Sequence, residues 1–488
     1  MSFPSAANSV DSLLTPPNID SPQRPILLRN DLPSTTGYGP SPEDLDFWRG
    51  AVASPLLVML QQARYSAEAI NVFENFLEVY VLPALGCAPQ KTARGWEFAF
   101  PSFMNDNHSP VEIGLSWTKG QPSVKFSIEP IGCPSDAGSS MLSNLHAAER
   151  LLQRLQAGGL GSFERLRDLA QCCISEEQDE TSEARSQVFV AFDLQRSGNV
   201  LVKAYLMPHA RASSSQFDVV DQAIQSVKAD GTAWSTIESY YHSLYPSERP
   251  EAVILSTDCS NDSTARIKVY FRYRTNEIAS VLQHMSLGGR IASGWERTLP
   301  QLWHAVLSEQ KQDGTTSLRT IDDRSETTGG VLIYYDFSRS EDEATSKIYL
   351  PVRHWASSDQ AIARGLSDYL RQSVHNATSS TCNSEQPLLY DDVLRLFADP
   401  IELEGCRGLQ NYVCAGQKKD GRIDLSIYLN PLPRTSRIPN SAVIEAIPPA
   451  SEPAALSQPD DFEEDKNLKV VANGQRLTNF LRRSPRIL

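Results

Sequence analysis

None of the eight cysteines form a CxxC pair, and no Cys/His group has zinc-ligand spacing. That excludes a dithiol redox motif and a zinc module read from sequence. Cys87, Cys133, Cys172, Cys173, Cys259, Cys382, Cys406 and Cys414 read instead as reduced, partly buried thiols of a cytoplasmic protein. The opening MSFPSAANSVDSLLTPPN lacks the basic and apolar regions of a signal peptide. No apolar run approaches the length of a membrane span, so no membrane association is expected. Basic charge is also scarce: 45 Lys and Arg face 59 Asp and Glu, for a formal charge of −14. Such a chain is a poor non-specific binder of nucleic acid or anionic lipid. There is no nucleophile elbow and no Ser/His/Asp order. LGGRIASG (287–294) is glycine-rich but follows a helical stretch rather than a strand, unlike a nucleotide-binding loop.

Against this acidic background, some strands carry cations in register. In ARIKVYFRYR (265–274), a period of two puts Arg266, Lys268 and Tyr270 on one face and Ile267, Val269 and Phe271 on the other. The apolar face needs only a hydrophobic layer. The other face needs an anion, because cations are seldom buried without one. Lys203 and Tyr205 repeat the pattern in VLVKAYLMP, and Lys347 and Tyr349 in SKIYLPVRHW. The expectation is that these strands pool their cations around one anionic ligand.

Residues 1–42, rich in Ser, Pro and Asn, read as a loose arm, and 432–488 as a mostly disordered tail. Between them, 43–431 falls into a rhythm. SPEDLDFWRG starts a helical region with a Ser cap, and another helix covers about 68–85. Five hairpins follow, their strands at 111–117 and 123–132, 187–194 and 199–208, 252–258 and 265–274, 330–337 and 345–352, and 409–417 and 422–431. Helical stretches at about 140–173, 216–244, 277–307 and 360–397 separate them. Corresponding lysines stand at 125, 203, 268 and 347, spaced by 78, 65 and 79 residues. Five ααββ repeats give ten antiparallel strands, which lose their exposed edges by closing into a barrel with helices outside. The fold class is therefore α+β.

A barrel of that width holds a ligand, so its inward residues can be polar. Lys125, Lys203, Arg266, Lys268 and Lys347 supply cations, Tyr205, Tyr270, Tyr349 and Tyr412 supply phenols, and Glu112 is a lone acid. Clustered cations suit a diphosphate without metal. Aromatic rings beside them suit a carbocation, which ring faces stabilise and shield from water. A carboxylate opposite can accept an N–H or a proton. For one strand alone, an ordinary exposed face would be the better account of Lys-x-Tyr. Three strands in the same order outweigh it.

Six segments in order carry a resemblance: SFMNDNHSPVEIGLSW, VKFSIEPIG, VLVKAYLMP, RIKVY, KIYLPVRHW and GLQNYV. Over about 47–431 the chain resembles the fungal aromatic prenyltransferases of the dimethylallyltryptophan synthase family, whose fold is the ABBA prenyltransferase barrel. The resemblance implies transfer of a dimethylallyl group from its diphosphate to an indole, with no metal cofactor. It implies that Glu112 accepts the indole N–H and helps remove the proton. Lys125, Lys203, Arg266, Lys268, Lys347 and Arg407 match diphosphate contacts; Tyr205, Tyr270, Tyr349 and Tyr412 match the cation shield. Met104, Met207 and Glu112 match acceptor contacts. The chain departs from the pattern in three places. Gly416 stands where another shield tyrosine is common, which implies a more open shield. Met207 replaces a tyrosine of free-tryptophan enzymes, and the strand at 251–259 lacks their carboxylate-holding arginine. Both imply an acceptor without a free carboxylate, such as a tryptophan-containing cyclic dipeptide or another indole alkaloid. The strand at 187–194 also lacks a lysine that some relatives use as base.

Two other readings stay open on these residues: prenylation of a phenol (tyrosine, xanthone or naphthalene), and a non-catalytic barrel binding an isoprenoid or phospholipid. Assembly is left open between monomer and homodimer. DDFEED (460–465) is similar to the magnesium motif of isoprenyl synthases, but its Pro/Ser-rich setting reads as a solvated acidic run. His108 and His354 sit beside strands and read as supporting or surface residues.

Overall fold

Ser41 starts the first helix, α1 (Pro42–Trp48), with a reciprocal capping box. Its Oγ accepts from the Asp44 N–H, the Asp44 carboxylate accepts from the Ser41 N–H, and Pro42 fills the first turn. The computed structural model describes residues 39–432, with breaks at 93–94, 119–120, 134–143, 175–185, 211–213, 230, 261–264, 293, 311–315, 319–328, 339–342, 377–385, 399 and 418–422. The expected arm lies almost wholly outside the described residues, as do the expected tail and DDFEED within it.

Ten strands follow the predicted hairpins: β1 (Val111–Thr118), β2 (Gln121–Ile128), β3 (Val188–Leu194), β4 (Val200–Leu206), β5 (Glu251–Asp258), β6 (Ile267–Tyr273), β7 (Val331–Phe337), β8 (Thr345–Leu350), β9 (Gln410–Gln417) and β10 (Ile423–Leu429). Each pairs antiparallel with the next. β10 then returns to β1, with Leu429 opposite Ile113 and Leu425 opposite Trp117, and the sheet closes. Two short ribbons, Gln90–Thr92 with Gly95–Glu97 and Ser308–Gln310 with Thr316–Leu318, stand outside the barrel and were not anticipated.

Two helices precede each hairpin: α2 (Ser54–Gln62) and α3 (Ala67–Phe76), α4 (Asn144–Ala157) and α5 (Glu164–Cys173), α6 (Gln216–Ser226) and α7 (Thr232–Ser243), α8 (Ile278–Met285) and α9 (Trp295–Leu307), α10 (Asp359–Asn376) and α11 (Gln386–Leu394). The five-fold ααββ repeat is therefore present. The glycine-rich start of LGGRIASG turns the chain after α8: Leu287, Gly288 and Gly289 take left-handed φ values of 51°, 65° and 86°.

Strand alternation divides the barrel wall into two surfaces. Ile267, Val269, Phe271 and Tyr273 of β6 join the outer core with Trp234 of α7 and Trp295 of α9. The intervening residues, Lys268, Tyr270 and Arg272, face the lumen. A second, smaller apolar cluster sits inside, built on Ile254, Tyr270, Leu332, Tyr412 and Cys414. Burial of large apolar side chains, at about 1.5–3 kcal/mol each, is thus concentrated outside the wall, where the helices lie.

Candidate active site in the barrel lumen

The lumen side chains follow one order on every strand that carries them. β6 presents Lys268, Tyr270 and Arg272; β4 presents Lys203 and Tyr205, with Met207 just beyond; β8 presents Lys347 and Tyr349. The antiparallel strands show the reverse: Leu332, Tyr334 and Asp336 on β7, and Phe189, Ala191 and Asp193 on β3. One end of the lumen is therefore charged, the middle is aromatic, and the far end holds Glu112 and Arg272. A cavity of about 250 Å³ joins the charged end to the aromatic middle, lined in part by Lys125, Lys203, Arg266, Lys268, Lys347 and Tyr349. Small-molecule sites start near about 300 Å³, so its scale suits a small ligand rather than a polymer.

The five expected cations do converge, and they do not converge alone. Lys268 Nζ donates to Asp258 at 2.9 Å; Arg266 bridges Asp258 (3.2 Å) and Asp336 (3.1 Å). Lys203 pairs with Asp193, and Lys347 reaches Asp424 at 3.4 Å. Lys125 and Lys347 both donate to Ser426 Oγ, at 3.1 and 3.3 Å, and Lys125 lies 4.7 Å from the centre of the Tyr428 ring. Four aspartates that were not anticipated thus answer the five cations. One net positive charge remains for a ligand. Burial, with Lys347 nearby, brings the Lys125 ammonium down to about 8. Burial also lowers Lys268 to about 8 despite its contact with Asp258. For Asp258, burial is outweighed by Lys268 and Arg266, which hold it well below the ordinary carboxylate range.

The aromatic middle is a connected collar. Phe189 stacks on Tyr205 with centroids 4.3 Å apart, and Tyr205 lies 6.1 Å from Tyr270. Tyr270 meets Tyr334 at 4.9 Å and Tyr349 at 5.8 Å; Tyr349 in turn meets Tyr412 at 6.0 Å and Tyr428 at 5.7 Å. Burial raises all six phenols, so they stay neutral. Tyr334 and Tyr428 were missed in the sequence, although alternation places both on the lumen face.

At the far end, burial pushes the Glu112 carboxyl up to about 7, against the opposing pull of Asn411 and Lys125. Asn411 Nδ2 donates to Glu112 Oε1 at 3.0 Å. Met104 lies in the loop before β1, next to Asn411 and Tyr412. The loop is pinned by buried Glu129, whose carboxylate accepts from Ser102 Oγ at 2.5 Å and from Phe103 N at 3.2 Å. His354 lies against Asp106, which Arg353 also holds at 2.8 Å, and His108 approaches the Ser102 carbonyl at 3.3 Å. Neither histidine lines the cavity. Among the described residues, Asp44, Cys87 and Cys133 form a cluster of metal-capable groups, their ligand atoms within 4.8 Å of one another, but they too stand apart from the cavity.

Residues 44–382 match the tryptophan dimethylallyltransferase family. The chain belongs to that family. It is an aromatic prenyltransferase, moving a dimethylallyl group from its diphosphate to an aromatic ring. Among curated relatives, the 4-O-dimethylallyl-L-tyrosine synthase of Claviceps purpurea is 29% identical over 402 residues, covering 79% of this chain and 88% of the relative. The 7-dimethylallyltryptophan synthase of Aspergillus fumigatus is 24% identical over 426 residues, covering 79% and 84%. Among solved structures, NotF in complex with brevianamide F and DMSPP superposes with a TM-score of 0.64 at 19% identity, covering 84% of this chain and 97% of NotF. That likeness carries the barrel fold.

Two expectations drawn from the dimethylallyltransferase pattern need revision. Arg407 is not brought to the cations: it precedes β9, whose lumen residues run Tyr412, Cys414, Gly416 toward the charged end, so it lies at the other end. Gly416 does not open the aromatic collar. It pairs with Lys347 and Asp424 in the charged region, where a Cβ would come within 3.2 Å of the Lys347 stem. The strand at 251–258 carries no basic residue, but its neighbour brings one to the acceptor end. Arg272, across from Glu251 of β5, is 2% exposed and donates to the Gly329 carbonyl at 2.7 Å. In the sequence it stood in plain sight, two residues beyond Tyr270 on the same face.

Proposed function

We propose that dimethylallyl diphosphate binds with its diphosphate among Lys125, Lys203, Arg266, Lys268 and Lys347 and its allyl group inside the tyrosine collar. The acceptor is an indole, in the form of a tryptophan-containing cyclic dipeptide or a related alkaloid. The observation that carries this reading is the meeting of a cation cluster and a phenol collar in one cavity, with a carboxyl poised near 7 beyond them. The allylic C–O bond breaks and the diphosphate leaves with the electron pair, its charge met by the lysines and Arg266. The allyl cation sits among ring faces that stabilise it and exclude water. An indole carbon attacks, and the arenium proton passes to the Glu112 carboxylate. Met104 and Met207 contact the acceptor. Arg272 already donates to a carbonyl and would do the same for a carbonyl of a cyclic dipeptide.

The relative from Aspergillus fumigatus is named for tryptophan and the NotF structure holds brevianamide F, which supports the indole; the relative from Claviceps purpurea is named for tyrosine. Residues 43–431 form the catalytic unit, working in the cytoplasm. Basic side chains take the place of a metal ion, so activity survives EDTA. No helix among the described residues is long and apolar enough to cross a membrane. The deciding experiment incubates protein, dimethylallyl diphosphate and a panel of acceptors, with and without EDTA, and reads a mass gain of one prenyl unit. Indole-containing cyclic dipeptides should lead the panel. Transfer to tyrosine or xanthone alone would overturn the indole reading. Donor binding with no transfer to any acceptor would make the barrel a carrier.

A further inference from the structure

We infer that Asn411 is the positioning residue of Glu112: an irregularity in β9 turns its amide to the lumen end, where it sets the direction in which the carboxylate meets the acceptor. This rests on the reading of Glu112 as proton acceptor. Gln410 pairs with Leu429 and Tyr412 with Tyr428, so Asn411 is an extra residue between consecutive partners on β10. Bulges of this kind re-aim side chains beside active sites. Plain alternation would send Asn411 outward with Val413. Instead its Nδ2 reaches Glu112 Oε1 at 3.0 Å.

The bulge is held on both sides. Before it, buried Asp359 accepts from Leu409 N at 3.1 Å and Gln410 N at 2.9 Å. Beside it, Asn105 donates through Nδ2 to the carbonyls of Ser109 (2.7 Å) and Val111 (2.9 Å), which leaves its Oδ1 facing Asn411 Nδ2 at 2.5 Å. The chain of amides therefore has one direction: two backbone carbonyls orient Asn105, Asn105 orients Asn411, and Asn411 orients Glu112. Turning Asn411 over would set its oxygen against the oxygens of Asn105 and Glu112. The present orientation leaves Asn411 Oδ1 without a partner among the described residues, although the side chain is 4% exposed. A buried acceptor is left unpaired so that both amide hydrogens serve Asn105 and Glu112.

The titratable groups facing Glu112 are Lys125 on β2 and Tyr412 and Cys414 on β9. Of these groups and Asn411, the amide and Lys125 favour the carboxylate, with the amide the larger influence. The test compares Asn411→Ala and the isosteric Asn411→Asp with the parent, reading kcat and the pH dependence of kcat/KM for the acceptor at saturating donor. Both variants should lose about 10- to 100-fold in kcat, with donor KM unchanged. In both, the acid limb should move up by about one pH unit: Ala removes a donor to the carboxylate, and Asp adds a like charge. In a Glu112→Gln background, Asn411→Ala should cost little more, because the two act as one unit. An acid limb that stays in place in both variants would reduce Asn411 to a structural residue and overturn the inference while leaving Glu112 in its role. Parent turnover in Glu112→Gln would instead remove the proton acceptor itself, and this inference with it.

Discussion

The pH profile offers a direct check on the electrostatics of the lumen. Glu112 must be a carboxylate to take the acceptor proton, so its activity is gained as pH rises through about 7. Lys125 and Lys268 must be ammonium ions to hold the diphosphate, so theirs is lost as pH rises through about 8. For the free enzyme the product is a narrow bell that peaks at about pH 7.3. At pH 6 roughly a tenth of Glu112 is ionised. At pH 9 roughly a tenth of each lysine is protonated, and roughly a hundredth of molecules have both, so the alkaline limb falls with a slope approaching two. Bound diphosphate favours the charged lysines, so the alkaline limb should retreat upward in kcat while remaining in kcat/KM for the donor. The donor phosphates titrate too; kcat/KM for the acceptor at saturating donor isolates Glu112. The assay is steady-state product formation from pH 5.5 to 9.5, with Glu112→Gln in parallel, which should lose the acid limb. A flat kcat/KM for the donor between pH 7 and 9.5 would refute the claim that burial depresses these lysines.

Asp258→Asn removes the partner shared by Arg266 and Lys268. Because Asp258 supports the charged form of Lys268, the alkaline limb should move down by about one pH unit and donor KM should rise. Gly114→Ala sets a Cβ 2.8 Å from Lys125 Cγ and 2.9 Å from Cε. Lys125 must swing aside, so donor KM should rise about tenfold by loss of one charged contact, while thermal unfolding shifts little. Tyr349 touches Tyr270, Tyr334, Tyr412 and Tyr428, so Tyr349→Leu breaks the collar at its centre. The fraction of donor ending as prenyl alcohol should climb, read by chromatography of the products, and kcat should drop roughly tenfold. An unchanged alcohol fraction would mean that other groups keep water out.

Much of this architecture is legible in the chain because a strand with one apolar face announces its phase. Once Ile267, Val269 and Phe271 are assigned outward, Lys268, Tyr270 and Arg272 must point in. The same step locates Tyr334 within VLIYYDF, where Tyr335 packs outward against Tyr273 and His284. The four aspartates were harder to read. Asp193, Asp258, Asp336 and Asp424 each look like an ordinary acid near a strand end, and only cross-strand proximity reveals the cations they serve. Asn411 was hidden for a different reason: a one-residue irregularity reverses the face that alternation assigns, and no local composition marks it. Arg407 misled because a motif match places a residue along the sequence, whereas strand direction decides which end of the lumen it reaches.

Closure of the sheet limits how such an enzyme can change its donor. A wall whose strands are bonded on both sides cannot dilate by shedding one, so the bore is set by strand number and stagger. A ten- or fifteen-carbon chain must therefore be housed lengthwise, by trimming rings such as Phe189 or Tyr428 rather than by stretching the cylinder. The loops that cap the Glu112 end lie outside this hoop, free to reshape the acceptor pocket while the diphosphate seat stays as it is.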